Sequence, residues 1–183
     1  MQASGRRINN FSIGTVIIPW ASFIVFTATG NIVLIDYIHV MTGAIWTGTD
    51  IFLGLIFSRV LKSLDFKTIA SISKRIIPMT TYFIPSVSIL TPAAGLVLAL
   101  KLNAFLEFPN YFMWSMVILG LIIVGISFLL ILPTSIKISK VESVKEEDLT
   151  FISINMKRLG QYAGIQLILQ VIIIGFMAIL VVY

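Results

Sequence analysis

The stretch IDYIHVMTGAIWTGTDIF, residues 35–52, contains ionisable side chains within an otherwise apolar part of the chain. It holds the only histidine of the sequence, His39, and two of its eight acidic residues, Asp36 and Asp50. On an α-helix, residues at steps of three or four share one face. This face would comprise Asp36, His39, Gly43, Trp46, Asp50 and Gly54. Ionisable groups cost about 2.5–3.5 kcal/mol each at the centre of a membrane helix. We therefore expect the face to point towards other helices or a ligand, and away from lipid.

The composition of the whole chain is typical of a membrane protein. Of its 183 residues, 58% are hydrophobic and only 11% are charged. Five apolar segments are each long enough to cross about 30 Å of hydrocarbon at about 1.5 Å per residue. They span residues 11–29, 32–58, 77–101, 110–136 and 158–182. We therefore predict an all-α fold with a single integral membrane domain over residues 1–183, in which an N-terminal helix joins a four-helix core.

The basic residues predict the orientation of these helices. Twelve of the thirteen lysines and arginines precede the first segment or lie between segments two and three or four and five, and only Lys101 lies on the other side. The positive-inside rule makes the side with the twelve cytoplasmic. We therefore expect a multi-pass protein of the cell membrane with a cytoplasmic N-terminus. If residues 11–29 lay on the membrane surface instead, the other four helices would keep this orientation.

The net charge of +5 follows from these basic loops. Such loops are typical of topology determinants beside anionic lipid, so we expect contact with the lipid bilayer and no binding of nucleic acid. The sequence contains no Walker loop, dinucleotide-binding fingerprint, HExxH motif or cysteine. These absences exclude thiolate metal sites, disulfides and cysteine nucleophiles, and they leave no candidate catalytic residue. We expect a redox subunit at most, and no stand-alone catalysis.

An outer layer of possible ligands emerges when residues are counted from the predicted helix ends. His39 lies about seven residues, or ~10 Å, inside the outer end of its helix. Similar depths on the other helices are occupied by Gly95, Met116 (with Met113 one turn shallower) and Met177. An imidazole can ligate haem iron and a thioether can be the sixth ligand, while glycines such as Gly43 and Gly95 leave room for a flat macrocycle. The alternative is a hydrogen-bonded histidine among gap-filling methionines.

An inner polar layer is expected around Asp50, at the depth of Ser86, Ser127 and Gln166. No lysine or arginine is expected at this depth, so Asp50 has no obvious counter-ion. Side chains such as Gln166 and Ser127 can supply hydrogen bonds to it. Two interpretations remain open at this point. One is a proton or cation path that includes Asp36, Asp50 and Gln166, and the other is a structural hydrogen bond between helices.

The pattern His39-x-x-x-Gly43-x-x-Trp46-x-Gly48, in a helix with a basic inner end, resembles a motif of a membrane superfamily. That superfamily contains the copper-resistance D proteins, the HemJ-type protoporphyrinogen oxidases and the membrane part of bacterial urate hydroxylases. Its members have a later helix that begins with basic residues and ends in a Thr-Gly-Leu-like motif. Residues 74–78 (KRIIP) and 91–96 (TPAAGL) match those features here. The resemblance follows the helix order over residues 32–183.

The resemblance implies a four-helix core that binds b-type haem through His39. Two departures narrow what it implies about activity. HemJ-type proteins have a lysine early in the helix that corresponds to residues 110–136, where this chain has Trp114 and Ser115. Porphyrinogen oxidation is therefore not expected. The methionine- and histidine-rich outer segments of a copper importer are missing as well.

Our leading hypothesis is a membrane-embedded haem b protein, or haem-bearing subunit, in electron transfer. The residues assigned to it are His39 as axial ligand, Met116, Met113 or Met177 as sixth ligand, Gly43, Trp46 and Gly95 as the pocket, and Asp36 as a hydrogen-bond partner of the imidazole. Other membrane subunits or further copies of this chain are the expected partners. One alternative is a transporter component that moves protons, copper or a small solute past Asp36 and Asp50. Another is a cofactor-free accessory subunit of a respiratory or oxygenase complex.

Overall fold

The structure, a computed structural model that describes residues 10–141 and 145–182, contains only helices among its regular elements. In chain order they are α1 (Asn10–Thr29), α2 (Ile32–Ser63), α3 (Phe66–Thr80), α4 (Phe83–Lys101), α5 (Ala104–Glu107), α6 (Asn110–Ser139) and α7 (Glu146–Val182). Four helices, α2, α4, α6 and α7, are long and apolar enough to cross a membrane. The predicted all-α class is confirmed, and the four helices are compatible with a membrane bundle.

Two buried clusters at opposite ends of the bundle show how the four long helices run. At one end, the cluster includes Phe57, Leu61, Ile84, Ile131, Ile138, Ile152 and Met156. At the other end, it comprises Ala104, Met113 and Met116, with Met177 packed against it. The ends of α2 and α6 thus meet the starts of α4 and α7, so α2 and α6 run antiparallel to α4 and α7. Exposed lysines and arginines surround the first cluster, and we call that end the basic end and the other the far end.

The start of α2 is determined by a very short connection from α1. Gly30 adopts a φ of 69°, a left-handed conformation that glycine reaches without strain. Asn31 then caps α2, because its side-chain oxygen accepts hydrogen bonds from the N–H groups of Val33 at 2.9 Å and Leu34 at 3.4 Å. Helix α1 packs on α2 and α4, where the indole of Trp20 donates to Ser86 Oγ at 2.8 Å.

The region between α2 and α4 differs from the expected basic loop followed by a helix over residues 77–101. Residues 66–80 form a separate amphipathic helix, α3, which buries Ile69 and Ile77 and exposes Lys67. Apolar side chains three, four and seven residues apart give this helix one buried face, as amphipathic helices require. The chain then breaks at residues 81–82 before α4 begins. Pro85 accounts for the break, because it has no N–H to bond the carbonyl of Thr81.

The last helix is also longer than expected, since it begins at Glu146 and not at residue 158. Residues 137–149 lie between the fourth and fifth apolar segments and mix lysines with acidic residues, a composition that predicts a solvated segment. In the structure the part from Glu146 onwards is helical. Ile152 and Met156 belong to the buried cluster at the basic end, which gives this extension an apolar face to pack on α3. The acidic residues in its first turn lie at the positive end of the helix dipole, and this interaction stabilises the start of the helix. Residues 142–144 lie outside the described part.

Asp65 begins α3 and gives a testable pH dependence. Its carboxylate accepts hydrogen bonds from the Thr68 hydroxyl at 2.6 Å and the Thr68 N–H at 2.9 Å, and these bonds lower the pKa of Asp65. Because the pKa is lower in the folded state, the stabilisation is present above the ordinary value of about 3.9 and is lost as the pH falls through the folded-state value. We expect Asp65→Ala to fray the first turn of α3 at neutral pH. Hydrogen exchange at residues 66–69 would measure this, and Asp65→Asn should retain protection without the acid-induced loss. Equal protection in the alanine variant would contradict the capping role.

Candidate functional site

His39 lies between α2 and α4, with 9% of its surface exposed. Its Nδ1 is 2.8 Å from the carbonyl oxygen of Thr91. A carbonyl only accepts hydrogen bonds, so Nδ1 carries a proton and donates it. In the tautomer that this bond selects, the lone pair of the ring lies on Nε2. The two helices are also linked beside the ring, where Thr91 Oγ1 donates to Thr42 Oγ1 at 3.0 Å and Thr42 Oγ1 donates to the carbonyl of Ile38 at 2.7 Å. These bonds hold the imidazole in one orientation.

Two glycines allow the close approach of α2 and α4 at this point. A Cβ atom on Gly95 would lie 2.6 Å from Cε1 of His39, a separation that real Cβ atoms do not tolerate. A Cβ atom on Gly43, one turn after His39, would lie 3.3 Å from Cγ2 of Thr91. The sequence suggested that both glycines leave room for a macrocycle. In the structure the imidazole occupies the space beside Gly95, and the Thr91 methyl group occupies the space beside Gly43.

The depth of His39 relative to the other helices follows from a cluster in the middle of the bundle. One residue from each of α2, α4 and α6 is buried in this cluster, and the three residues are Trp46, Val87 and Ile123. The cluster therefore marks a common level on the three helices. Helices α2 and α6 run in the same direction, and His39 and Met116 each lie seven residues before the cluster member of their own helix. Seven residues are about 10 Å of helix. His39 and Met116 therefore lie at one level, between the central cluster and the far end.

The other residues suggested as partners of His39 are three methionines and Asp36. Met113 and Met116 are buried together near the far end, and Met177 packs against them. Asp36 is exposed, and the Nδ1 hydrogen bond expected from it is made by the Thr91 carbonyl instead. Sequence reasoning missed this role of Thr91, since a backbone carbonyl carries no residue-type signal. Only the pairing of α2 with α4 brings it to the ring.

Asp50 lies in the inner polar layer and is completely buried. Gln170 Nε2 on α7 donates a hydrogen bond to Asp50 Oδ2 at 2.9 Å. Gln166, one turn earlier on α7, donates to Ser127 Oγ at 2.7 Å and to the carbonyl of Ile123 at 3.1 Å. The expected layer therefore exists on α2, α6 and α7, but Gln170 and not Gln166 contacts the carboxyl. Ser86 lies outside this network, because its hydroxyl accepts from Trp20.

Four polar atoms of this layer have no hydrogen-bond partner in the part of the chain that the structure describes. They are Asp50 Oδ1, Gln170 Oε1, Gln166 Oε1 and Trp46 Nε1. Buried polar groups are nearly always paired, and an unpaired one costs about 1–3 kcal/mol. Several such atoms in one layer therefore mark a place where a proton, a water or a ligand completes the bonding.

Both α2 and α6 become π-helical at this layer. The π-helical segment of α2, Ile51–Phe57, begins directly after Asp50, and that of α6, Ser127–Ile131, begins at the partner of Gln166. Such segments are frequent at functional sites. The segment of α2 also brings Gly54 against α7, where a Cβ atom would lie only 2.7 Å from the backbone nitrogen of Gly164. The two helices are therefore in backbone contact one turn from Asp50.

Fold and site together define a class of protein, an all-α membrane-type bundle with one buried imidazole layer and one buried carboxyl–amide layer. Within residues 10–141 and 145–182, no three histidine, cysteine or acidic side chains come together as a metal site. His39 is the one histidine among them, and its ring is oriented by the bond to Thr91. Comparisons of the chain with protein-family models, with curated proteins and with solved structures find no match.

Proposed function

We propose that this chain is a membrane-embedded haem b protein, or the haem-bearing subunit of a complex, that takes part in electron transfer. The observation that carries the proposal is the hydrogen bond from His39 Nδ1 to the Thr91 carbonyl. Metal-ligating histidines commonly donate their other ring nitrogen to a backbone carbonyl or a carboxylate, which selects the tautomer and orients the ring. The arrangement leaves Nε2 as the atom that would bind iron. The motif around His39 supports the same assignment.

The other residues of the proposed site follow from their level in the bundle. Met116 lies at the level of His39 on α6 and is the thioether that we assign as sixth ligand. Gly95 lets the imidazole lie against α4, and Thr42 supports Thr91 through their hydroxyl hydrogen bond. Haem held there by His39 and Met116 would supply one-electron chemistry. The chain's own contribution would be to bind and orient the group and to exclude water.

An absorption spectrum tests the proposal directly. Protein expressed with ample haem and purified in detergent should show a Soret band, and reduction with dithionite should produce sharp α and β bands. Met116→Leu should change the shape and position of the α band, while Met113→Leu and Met177→Leu serve as matched controls on the same cluster. A colourless, folded protein would contradict the function, and an unchanged spectrum in all three variants would exclude methionine as the sixth ligand.

For the membrane topology we propose five spans with a cytoplasmic N-terminus. The support is the length of α1, whose 20 residues extend about 30 Å, and the collection of basic residues at one end of the bundle. The chain has no cysteine, so single cysteines can report sidedness. An impermeant maleimide should label Asn103→Cys in intact cells, and should label Lys140→Cys and Ser4→Cys only after permeabilisation. Labelling of Ser4→Cys from outside would contradict a fifth span.

A further inference from the structure

Asp50 and Gln170 make one of the two hydrogen bonds that a carboxyl group and a carboxamide can form with each other. One hydrogen bond joins Gln170 Nε2 to Asp50 Oδ2 at 2.9 Å. The two remaining oxygens of the same groups, Asp50 Oδ1 and Gln170 Oε1, are both buried and have no partner among the described residues. Both atoms are acceptors when the carboxyl is ionised, so no bond can form between them in that state. A proton on Asp50 Oδ1 would turn one of these two acceptors into a donor.

We propose that Asp50 and Gln170 form a proton-binding site, in which a proton on Asp50 Oδ1 is donated to Gln170 Oε1. A carboxylic acid and a carboxamide each present one donor and one acceptor side by side, and together they form a closed ring of two hydrogen bonds. The existing bond supplies one side of that ring. Release of the proton breaks the O–H bond, passes the proton to water and leaves a carboxylate that keeps only the bond from Nε2.

The surroundings of Asp50 provide no other charge that would take the place of the proton. Among the described residues, the only buried titratable side chains are His39 and Asp50. His39 lies on the same helix but eleven residues earlier, or about 16 Å along the axis. From α7 the neighbouring polar groups are the amides of Gln166 and Gln170, and the nearest titratable group there is Tyr162, which packs in the cluster at the basic end. From α6 the polar group of this layer is the hydroxyl of Ser127, and Ser88 on α4 is occupied by a bond to the carbonyl of Pro85.

A small pocket lies in the cluster at the basic end. It has a volume of about 20 Å³ and is lined partly by Leu53 and Ala163, which lie about one turn from Asp50 and Gln166. Thr80 and Ser135 supply polar groups to its wall. The other ten lining residues have no polar side chain, and the volume corresponds to about one water molecule. The pocket therefore ends about one turn of helix from the buried carboxyl, on the side of the basic end.

Infrared spectroscopy tests this site without reference to haem, so its outcome is independent of the proposed electron-transfer function. The wild-type protein at neutral pH should show the C=O stretching band of a protonated carboxylic acid, which is separate from carboxylate bands and shifts in D2O. The band should be lost in Asp50→Asn and retained in Asp36→Asn, the matched control on the same helix. Gln170→Met should move the band to higher frequency, because the C=O loses its hydrogen bond, and Gln166→Met should leave it in place.

Three results would overturn the proposal. They are the absence of an acid band at neutral pH, a band that Gln170→Met does not move, and carboxylate bands that change on addition of Na⁺, which would indicate a metal cation in place of the proton. If Gln170→Met does not fold, wild-type protein with ¹³C in the glutamine side-chain amides gives the same information. A glutamine C=O band should then shift when the acid band is lost at high pH, and a constant band would contradict the pairing.

Discussion

Replacing His39 with alanine is expected to abolish the haem binding that we propose for this protein. The imidazole is the only histidine ligand that the chain can offer, and its loss should lower haem affinity by more than about 100-fold, since even changes to partners of metal ligands cost 10–100-fold. The Soret band should disappear from protein purified through a desalting step. Imidazole added to the alanine variant should restore part of the absorption, because it can enter the space that the side chain leaves.

The glycine beside the ring provides an independent control of the same assignment. Gly95→Ala places a Cβ atom 2.6 Å from His39 Cε1 and should displace the ring, so the spectrum should shift although the ligand is still present. Gly48 lies on the same helix as His39, and among the described residues no side chain and no other helix comes within 4 Å of a Cβ placed on it. The spectrum of Gly48→Ala should therefore match the wild type. A Soret band that survives unchanged in His39→Ala would show that iron is bound elsewhere or not by histidine.

The largest loss of stability is expected from Gly54→Ala. Its Cβ atom would lie 2.7 Å and 2.8 Å from the backbone nitrogen and Cα of Gly164, so α2 and α7 must separate. Overpacking of this kind costs about 3 kcal/mol. For a chain of this size that corresponds to roughly 6–12 °C in Tm. Thermal unfolding of the detergent-solubilised protein, followed by circular dichroism, would measure the change.

The same contact provides a matched control, because it is asymmetric. A Cβ atom on Gly164 would meet only the carbonyl oxygen of Gly54 at 3.9 Å, which is ordinary van der Waals contact. Gly164→Ala should therefore not lower Tm. Gly48→Ala, in an open position of a helix, should stabilise by up to about 1 kcal/mol through helix propensity. Equal Tm values for Gly54→Ala and Gly164→Ala would contradict the close backbone contact.

The apolar segments were predictable because lipid requires long hydrophobic helices, and composition and length suffice to find them. Two boundaries were not found this way. Helix α3 and the start of α7 lie in charged sequence, and a window that scores hydrophobicity misses helices whose apolar residues occupy only one face. The helical spacing of the apolar residues in these segments indicated such a face. The residues concerned, Ile69, Ile77, Ile152 and Met156, are all buried in the cluster at the basic end.

The sequence predicted the layer in which Asp50 lies but not the residue that contacts it. Counting from helix ends identified the layer of Asp50 but paired it with Gln166, one turn away from the Gln170 that contacts it. The count assumed helices that end together and keep the α-helical rise. In the structure α7 extends further at the basic end and α2 contains a π-helical segment, so positions counted from their ends no longer coincide.

The sequence alone predicts a helical protein of the membrane type and the polar face of α2. Both follow from the helical period and from the cost of placing charge in lipid, which depend only on residues near one another in the chain. The partners of that face depend on the tertiary structure. The Thr91 carbonyl reaches His39 because Gly43 and Gly95 allow α2 and α4 to come close, and Gln170 reaches Asp50 because Gly54 brings α7 into backbone contact with α2. Such contacts depend on the distances between helices. These distances result from side-chain packing between helices and cannot be derived from the sequence of one helix alone.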